Sequence, residues 1–296
     1  EKVVRYATIA FGLLITLPLL EGNIANGEIF MILPTLAAYL VVFARPPTFK
    51  NIFLAGFILG IGILFKMPAL FDIGAPIGLW LALAFAKKLE FTRFFKQTVV
   101  FLIATLTPVL ITVVYYTTTG LVSQYLQLAF LANIGFLSTW GTASGSFLTR
   151  NQDLLIRAGL VLFGFLVLNS LYQKEKITKS FFFVSLWFIC SLFSATLSER
   201  PYPHYLLQVV PSLSVMLGLA FSASGREQFW AYPMFLILGA VLVIFKFYYY
   251  PVFSYYTNFV KLATRQESND QYLANFDPRT PRNYEIARFL NQSYNP

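Results

Sequence analysis

Nine apolar stretches separated by short polar connections dominate this chain and leave it few ways to fold. They cover Tyr6–Leu20, Glu28–Ala44, Ile52–Phe65, Ala69–Ala86, Phe94–Tyr116, Leu154–Leu171, Phe181–Leu197, Tyr205–Phe221 and Phe229–Tyr249. Lengths of roughly 15 to 22 residues suit helices that cross a bilayer core. With no water present the backbone must satisfy its own hydrogen bonds, so helix is the expected form of each stretch. The expected fold is all-α: a polytopic transmembrane bundle of about nine spans over residues 1–250, then the start of an extracytoplasmic segment over 251–296. Only 12% of residues are charged, against about 25% in ordinary soluble domains. The break at Lys66–Pro68 reads either as a connection between two spans or as a kink in one re-entrant element.

The connections alternate in charge. One set carries twelve basic residues: Lys2, Arg5, Arg45, Lys50, Lys87, Lys88, Arg93, Lys96, Lys174, Lys176, Lys179 and Arg226. The other set carries four, Lys66, Arg150, Arg157 and Arg200. Lysine and arginine are retained on the cytoplasmic side of membrane proteins, so this sorting puts the N-terminus inside and the C-terminal segment outside an inner cell membrane. The same bias accounts for the net charge of +9. No basic run of nucleic-acid type occurs, so nucleic acid is not an expected partner and the lipid bilayer is.

Two regions are not spans. Thr117–Asp153 is a long external connection rich in Gly, Ser, Thr and aromatics, and its apolar part Tyr125–Phe136 is expected along the interface. In the polar tail, Ile286, Phe289 and Leu290 fall at helical spacing after Pro281. The chain has no initiator Met and opens almost directly into a span, so it is expected to be a piece of a longer protein.

Candidate chemistry gathers in the charge-poor connections. Glu21 and Glu28 lie seven residues apart around the first of them. Glu28 at the head of a span is either a cavity carboxylate or a favourable charge at a helix start with Asn26 as N-cap. Lys66, set among apolar neighbours, can hold an anion as a point charge, or can snorkel and pair with Asp72. Ser198–Tyr205 is the densest group, with Glu199, Arg200, Tyr202, His204 and two stiffening prolines. Arg200 suits bidentate phosphate contact, and His204 can donate or accept a proton. Glu28, Lys66, Asp72, Glu199, Arg200, Tyr202 and His204 are thus the candidate substrate- and phosphate-binding residues. No Walker loop, dinucleotide fingerprint, HExxH or CxxC pattern occurs, and a single histidine with one cysteine argues against a transition-metal site.

Pro18–Pro34, Phe65–Ala75, Glu199–Pro211 and the tail Asn275–Leu290 resemble the bacterial branch of the dolichyl-phosphate-mannose protein mannosyltransferase-like superfamily, polytopic glycosyltransferases of the GT-C type. The resemblance runs with interruptions over nearly the whole chain, and Tyr202-Pro203-His204-Tyr205 is its most distinctive piece. It implies inverting transfer of a sugar from a polyprenyl-phosphate carrier to a protein, lipid or glycan acceptor outside the cytoplasm, with no cofactor besides the lipid-linked donor. It also implies a catalytic Asp in a first external loop, which would lie before residue 1, so no catalytic residue is assigned. Glu28 matches a later acidic position of the family, and Lys66 and Arg200–His204 match regions near the carrier. Two rivals remain: a transporter or flippase of lipid-linked or anionic solutes, which should show broken helices in matching halves, and an O-antigen polymerase or ligase, which favours arginine-rich external motifs. Thr117–Asp153 has only Arg150.

Overall fold

A computed structural model describes residues 1–22, 24–132, 151–198, 200–222, 226–249 and 252–293. Every regular element among them is helical. The helices are α1 Lys2–Ile15, α2 Gly27–Ala44, α3 Phe49–Phe65, α4 Gly74–Phe85, α5 Phe91–Thr118, α6 Val122–Leu126, α7 Gln152–Gln173, α8 Lys179–Ala195, α9 Val210–Ser222, α10 Arg226–Ile244, α11 Val252–Ala263, α12 Asn269–Ala274 and α13 Thr280–Ser293. A π-helical turn, Gln127–Leu131, follows α6.

Each expected span coincides with helix, but the lengths divide them. Five segments are long and apolar enough to cross a membrane: Gly27–Ala44, Met67–Phe85, Phe91–Thr118, Gln152–Gln173 and Glu227–Ile244. Phe49–Phe65, Lys179–Ala195 and Val210–Ser222 are apolar but shorter. At 1.5 Å per residue, α9 alone reaches only about 20 Å. Three 3-10 segments explain much of the shortfall: Pro18–Leu20 after α1, Met67–Ile73 before α4 and Pro203–Gln208 before α9. Each carries a proline in its first turn, where the missing N–H costs no hydrogen bond. At Lys66 the backbone is extended, so α3 ends there and the kinked single element is not formed.

Residues 1–247 form one compact unit with two apolar clusters. One joins α2, α3, α4 and α5 around Met31, Leu59, Trp80 and Phe101. The other surrounds α8, where Phe181, Phe182 and Phe188 are buried against Leu79, Leu168, Leu207 and Met216. Lipid tails are as apolar as leucine, so close packing rather than water exclusion must hold such helices together. Gly56 and Gly60, four residues apart on α3, let its backbone approach α5. A Cβ on Gly60 would fall on the Thr105 carbonyl oxygen and against Pro108. The outward faces stay apolar, as Leu33, Leu40, Leu160, Phe163, Leu236 and Ile244 show. Apolar surface on this scale suits lipid.

The basic connections meet at one end of this unit. Lys179 Nζ sits over the Phe43 ring, Lys88 Nζ over Tyr172, and Arg93 Nη2 donates to the Pro47 carbonyl.

Residues 248–296 form a second unit, containing α11 to α13. Ser268 and Gln271 make a capping box at the start of α12. Arg279 grips the exposed Asp277 carboxylate with two side-chain hydrogen bonds and holds its pKa at about 2. The expected helix after Pro281 is present as α13, with Ile286, Phe289 and Leu290 exposed.

Candidate functional site

At the end opposite the basic connections, the elements converge on a run of charged and aromatic side chains. The extended backbone at Lys66 swings its side chain away from the helix row and back over the start of α2. A Cβ on Gly27 would lie 3.1 Å from Lys66 Cδ, which shows how closely the two segments meet. Lys66 Nζ lies 3.0 Å from Glu28 Oε1. The Glu28 side chain is 3% exposed and Lys66 36% exposed, so the carboxylate is inside and the ammonium is at the rim. Among the described residues, neither Glu28 oxygen accepts a hydrogen bond of good geometry, and buried Asn26 Nδ2 has no partner. Asn26 occupies the N-cap position of α2 without making the side-chain cap bond. Its backbone stands where a cap belongs, but the role expected of its side chain is not filled.

The second half of the run comes from the end of the Pro18–Leu20 turn and from the segment before α9. His204 Nδ1 lies 2.9 Å from Glu21 Oε2, joining residues 183 positions apart. A carboxylate facing Nδ1 keeps a proton on that nitrogen and leaves Nε2 for another partner. Glu21 is held in the left-handed region, with φ of 55°. That conformation costs a non-glycine residue about 1 kcal/mol. Gly22 follows because a Cβ there would strike the Ile15 carbonyl. The His204 ring stacks on Tyr202 with centroids 5.7 Å apart and meets Tyr205 edge-on at 4.7 Å. Lys66 Nζ lies 5.7 Å from the Tyr205 centroid, and Arg200 Cζ lies 5.8 Å from that of Tyr202.

Glu28, Lys66, Tyr205, His204 and Glu21 therefore form one continuous chain of contacts, from which Tyr202 and Arg200 branch. Glu199 lies outside the described residues. Asp72 is not part of this run. Its carboxylate is buried in the bundle, accepting from Ser191 Oγ at 3.0 Å and Gln208 Nε2 at 3.2 Å, with the Tyr39 hydroxyl donating to its carbonyl at 2.6 Å. Pro68 adds to the same network, its carbonyl accepting from Ser194 Oγ and Gln208 Nε2. Asp72 pins the 3-10 segment to α2, α8 and the turn before α9. The alternative that it partners Lys66 is incorrect, because its oxygens point inward while the ammonium crosses to Glu28.

Arg157, another cation of the charge-poor set, donates to the Thr196 carbonyl at the end of α8 and lies 5.5 Å from the Phe245 ring. A cation beside exposed helix carbonyls is favourable. Arg150 lies outside the described residues, as does most of the apolar stretch expected along the interface. Glu21, marked in the sequence only by its spacing from Glu28, and Tyr205, at the edge of the Ser198–Tyr205 group, join the site although neither was among the expected binding residues. No motif links Glu21 to His204, and only the folded chain does.

No family model, curated protein or solved structure matches this chain. The chemistry of the site must be read from its own groups. Among the described residues no group of three or more His, Cys, Asp or Glu is arranged to hold a metal ion. A shallow groove of about 400 Å³ lined by Phe49, Phe95, Lys96, Val99 and Val100 lies at the far end of α3. Its apolar walls offer one lysine and no acceptor, so it is not the site. At the charged run a partly exposed ammonium, a guanidinium and an imidazole stand together, backed by a buried carboxylate and phenol rings. Such a set can hold an anionic group at the membrane boundary.

Proposed function

We propose that this chain is the membrane core of a GT-C type glycosyltransferase, moving a sugar from a polyprenyl-phosphate carrier to an acceptor on the extracytoplasmic face. One observation carries the reading: Lys66 and the Arg200–Tyr205 stretch, far apart in sequence, meet at the charge-poor end of the bundle. By the inside-positive bias that end faces away from the cytoplasm. A lipid-linked donor keeps its tail in the bilayer and its phosphate at this depth.

In the proposed step an acceptor hydroxyl oxygen attacks the anomeric carbon, the bond from that carbon to the phosphate oxygen breaks, the electron pair leaves with the phosphate, and the hydroxyl proton passes to the released phosphate or to water. Lys66 and Arg200 offset the growing negative charge. A well-placed donor in a water-poor site contributes about 3 kcal/mol to such a step. Glu28 and Glu21 act as positioning residues, orienting the ammonium and the imidazole. Both are engaged with those partners, so neither is assigned as the base that activates the acceptor.

The test uses the protein reconstituted in vesicles with a polyprenyl phosphate as probe. Lys66→Met and Arg200→Met should each weaken its binding about tenfold or more, which corresponds to about 1.4 kcal/mol. Unchanged binding in both variants removes these residues from the site. Transport of an anionic solute is the second reading. It is favoured by the helix break at Lys66 and the 3-10 segment at Pro203–Gln208, whose ends border the charged run. Carriers bind their cargo with discontinuous helices of this kind. Movement of the probe across the vesicle wall without sugar transfer would favour it.

A further inference from the structure

Helix α11 is amphipathic in a way the proposed activity does not use. At 100° per residue, Phe253, Tyr256, Phe259 and Val260 share one side, while Ser254, Asn258 and Lys261 share the other. The polar side is occupied within its own unit. Buried Asn258 donates to the Tyr272 carbonyl at 3.0 Å and bonds to Asn275, and Lys261 Nζ pairs with Glu267 at 2.9 Å. On the flank between the two sides, Tyr255 stacks on Phe276. The apolar side is bare: Phe253 is 84% exposed, Phe259 57% and Val260 55%. This arrangement is inside out for a helix surrounded by water.

We propose that this open side of α11 is seated in the interfacial layer of the bilayer, with the helix lying in the membrane plane. Covalent continuity selects lipid as the occupant. Segment Glu227–Ile244 is long and apolar enough to cross a membrane, and α11 begins after seven intervening residues. Part of that connection is a 3-10 turn, Phe247–Tyr249, so it reaches less than the full extension of seven residues, about 25 Å. The helix therefore stays within reach of the boundary at which the apolar segment ends. The intervening sequence Phe245-Lys-Phe-Tyr-Tyr-Tyr250 has the aromatic and basic character of a chain at headgroup level. An interfacial helix of this kind buries its apolar face about 5–10 Å below the headgroups. The exposed aromatics of α11 are then its contact with lipid.

The test uses the full chain in a Cys190→Ala background, with single cysteines at Phe253, Tyr256 and Val260 on the open side and at Ser254 and Lys261 for comparison. Each is labelled with an environment-sensitive fluorophore and reconstituted in vesicles of phosphatidylcholine and phosphatidylglycerol. A nitroxide carried on a lipid tail should quench positions 253, 256 and 260 several-fold more than 254 and 261, and aqueous iodide should give the reverse order. Equal, weak lipid quenching at all five positions overturns the proposal. Iodide access at 253, 256 and 260 would then mean a water-facing helix, and iodide exclusion would mean a protein partner on that side. Neither result depends on the transferase activity.

Discussion

Lys66 and Glu28 share an ion pair but not an environment. The carboxylate is buried and the ammonium reaches the rim, so the two halves of the pair are not equivalent to remove. Lys66→Ala strands a buried charge, a loss of about 3 kcal/mol or more. Glu28→Gln leaves a lysine that can turn to water, a loss nearer 1 kcal/mol. Thermal unfolding in detergent should therefore rank Lys66→Ala well below Glu28→Gln, with the double variant recovering most of the loss. Equal losses would mean that Glu28 is solvated. The lysine was legible in the sequence because it defies the charge bias. Its partner was not: Asp72 stands six residues away in the chain, whereas Glu28 is reached only because α3 ends where α2 begins. Asp72 instead receives Ser191 and Gln208. Asp72→Ala takes the acceptor from Ser191 Oγ, at about 1–3 kcal/mol, and leaves Gln208 Nε2 with the Pro68 carbonyl alone, while Asp72→Asn keeps an oxygen for one of them. Expression of folded protein should fall much further with alanine.

At the scale of elements, hydropathy marked the long helices well because each is apolar over most of its length. It did not mark the 3-10 turns at Pro18–Leu20, Met67–Ile73 and Pro203–Gln208, which adjoin the helices and differ from them in hydrogen-bond spacing. Those turns shape the site, since they release Glu21, Lys66 and His204 from the helical rows. The helix packing makes its own prediction. Gly60→Ala places a methyl against the Thr105 carbonyl and should lower stability by about 1–3 kcal/mol. Gly239→Ala, on α10 with open space around it, should be neutral or gain about 0.5–1 kcal/mol. A matched pair of melting curves checks both, and equal shifts would deny the close approach of α3 to α5.

Across the whole molecule, the sorting of basic residues and the contacts of Lys88, Arg93 and Lys179 agree on one end of the bundle. A reporter fused after Lys179 should read cytoplasmic and one fused after Tyr202 external; the opposite readings would invert the orientation. The pairing of Glu21 with His204 has a further consequence for how the protein is made. The imidazole leaves the ribosome 183 residues after the carboxylate it meets, and Lys66 likewise waits for the late Tyr205. During synthesis the early helices must hold a half-built charge cluster until the late ones arrive. The charge cluster is therefore complete only once nearly the whole bundle has been inserted, and a nascent chain stalled earlier would hold only half of it.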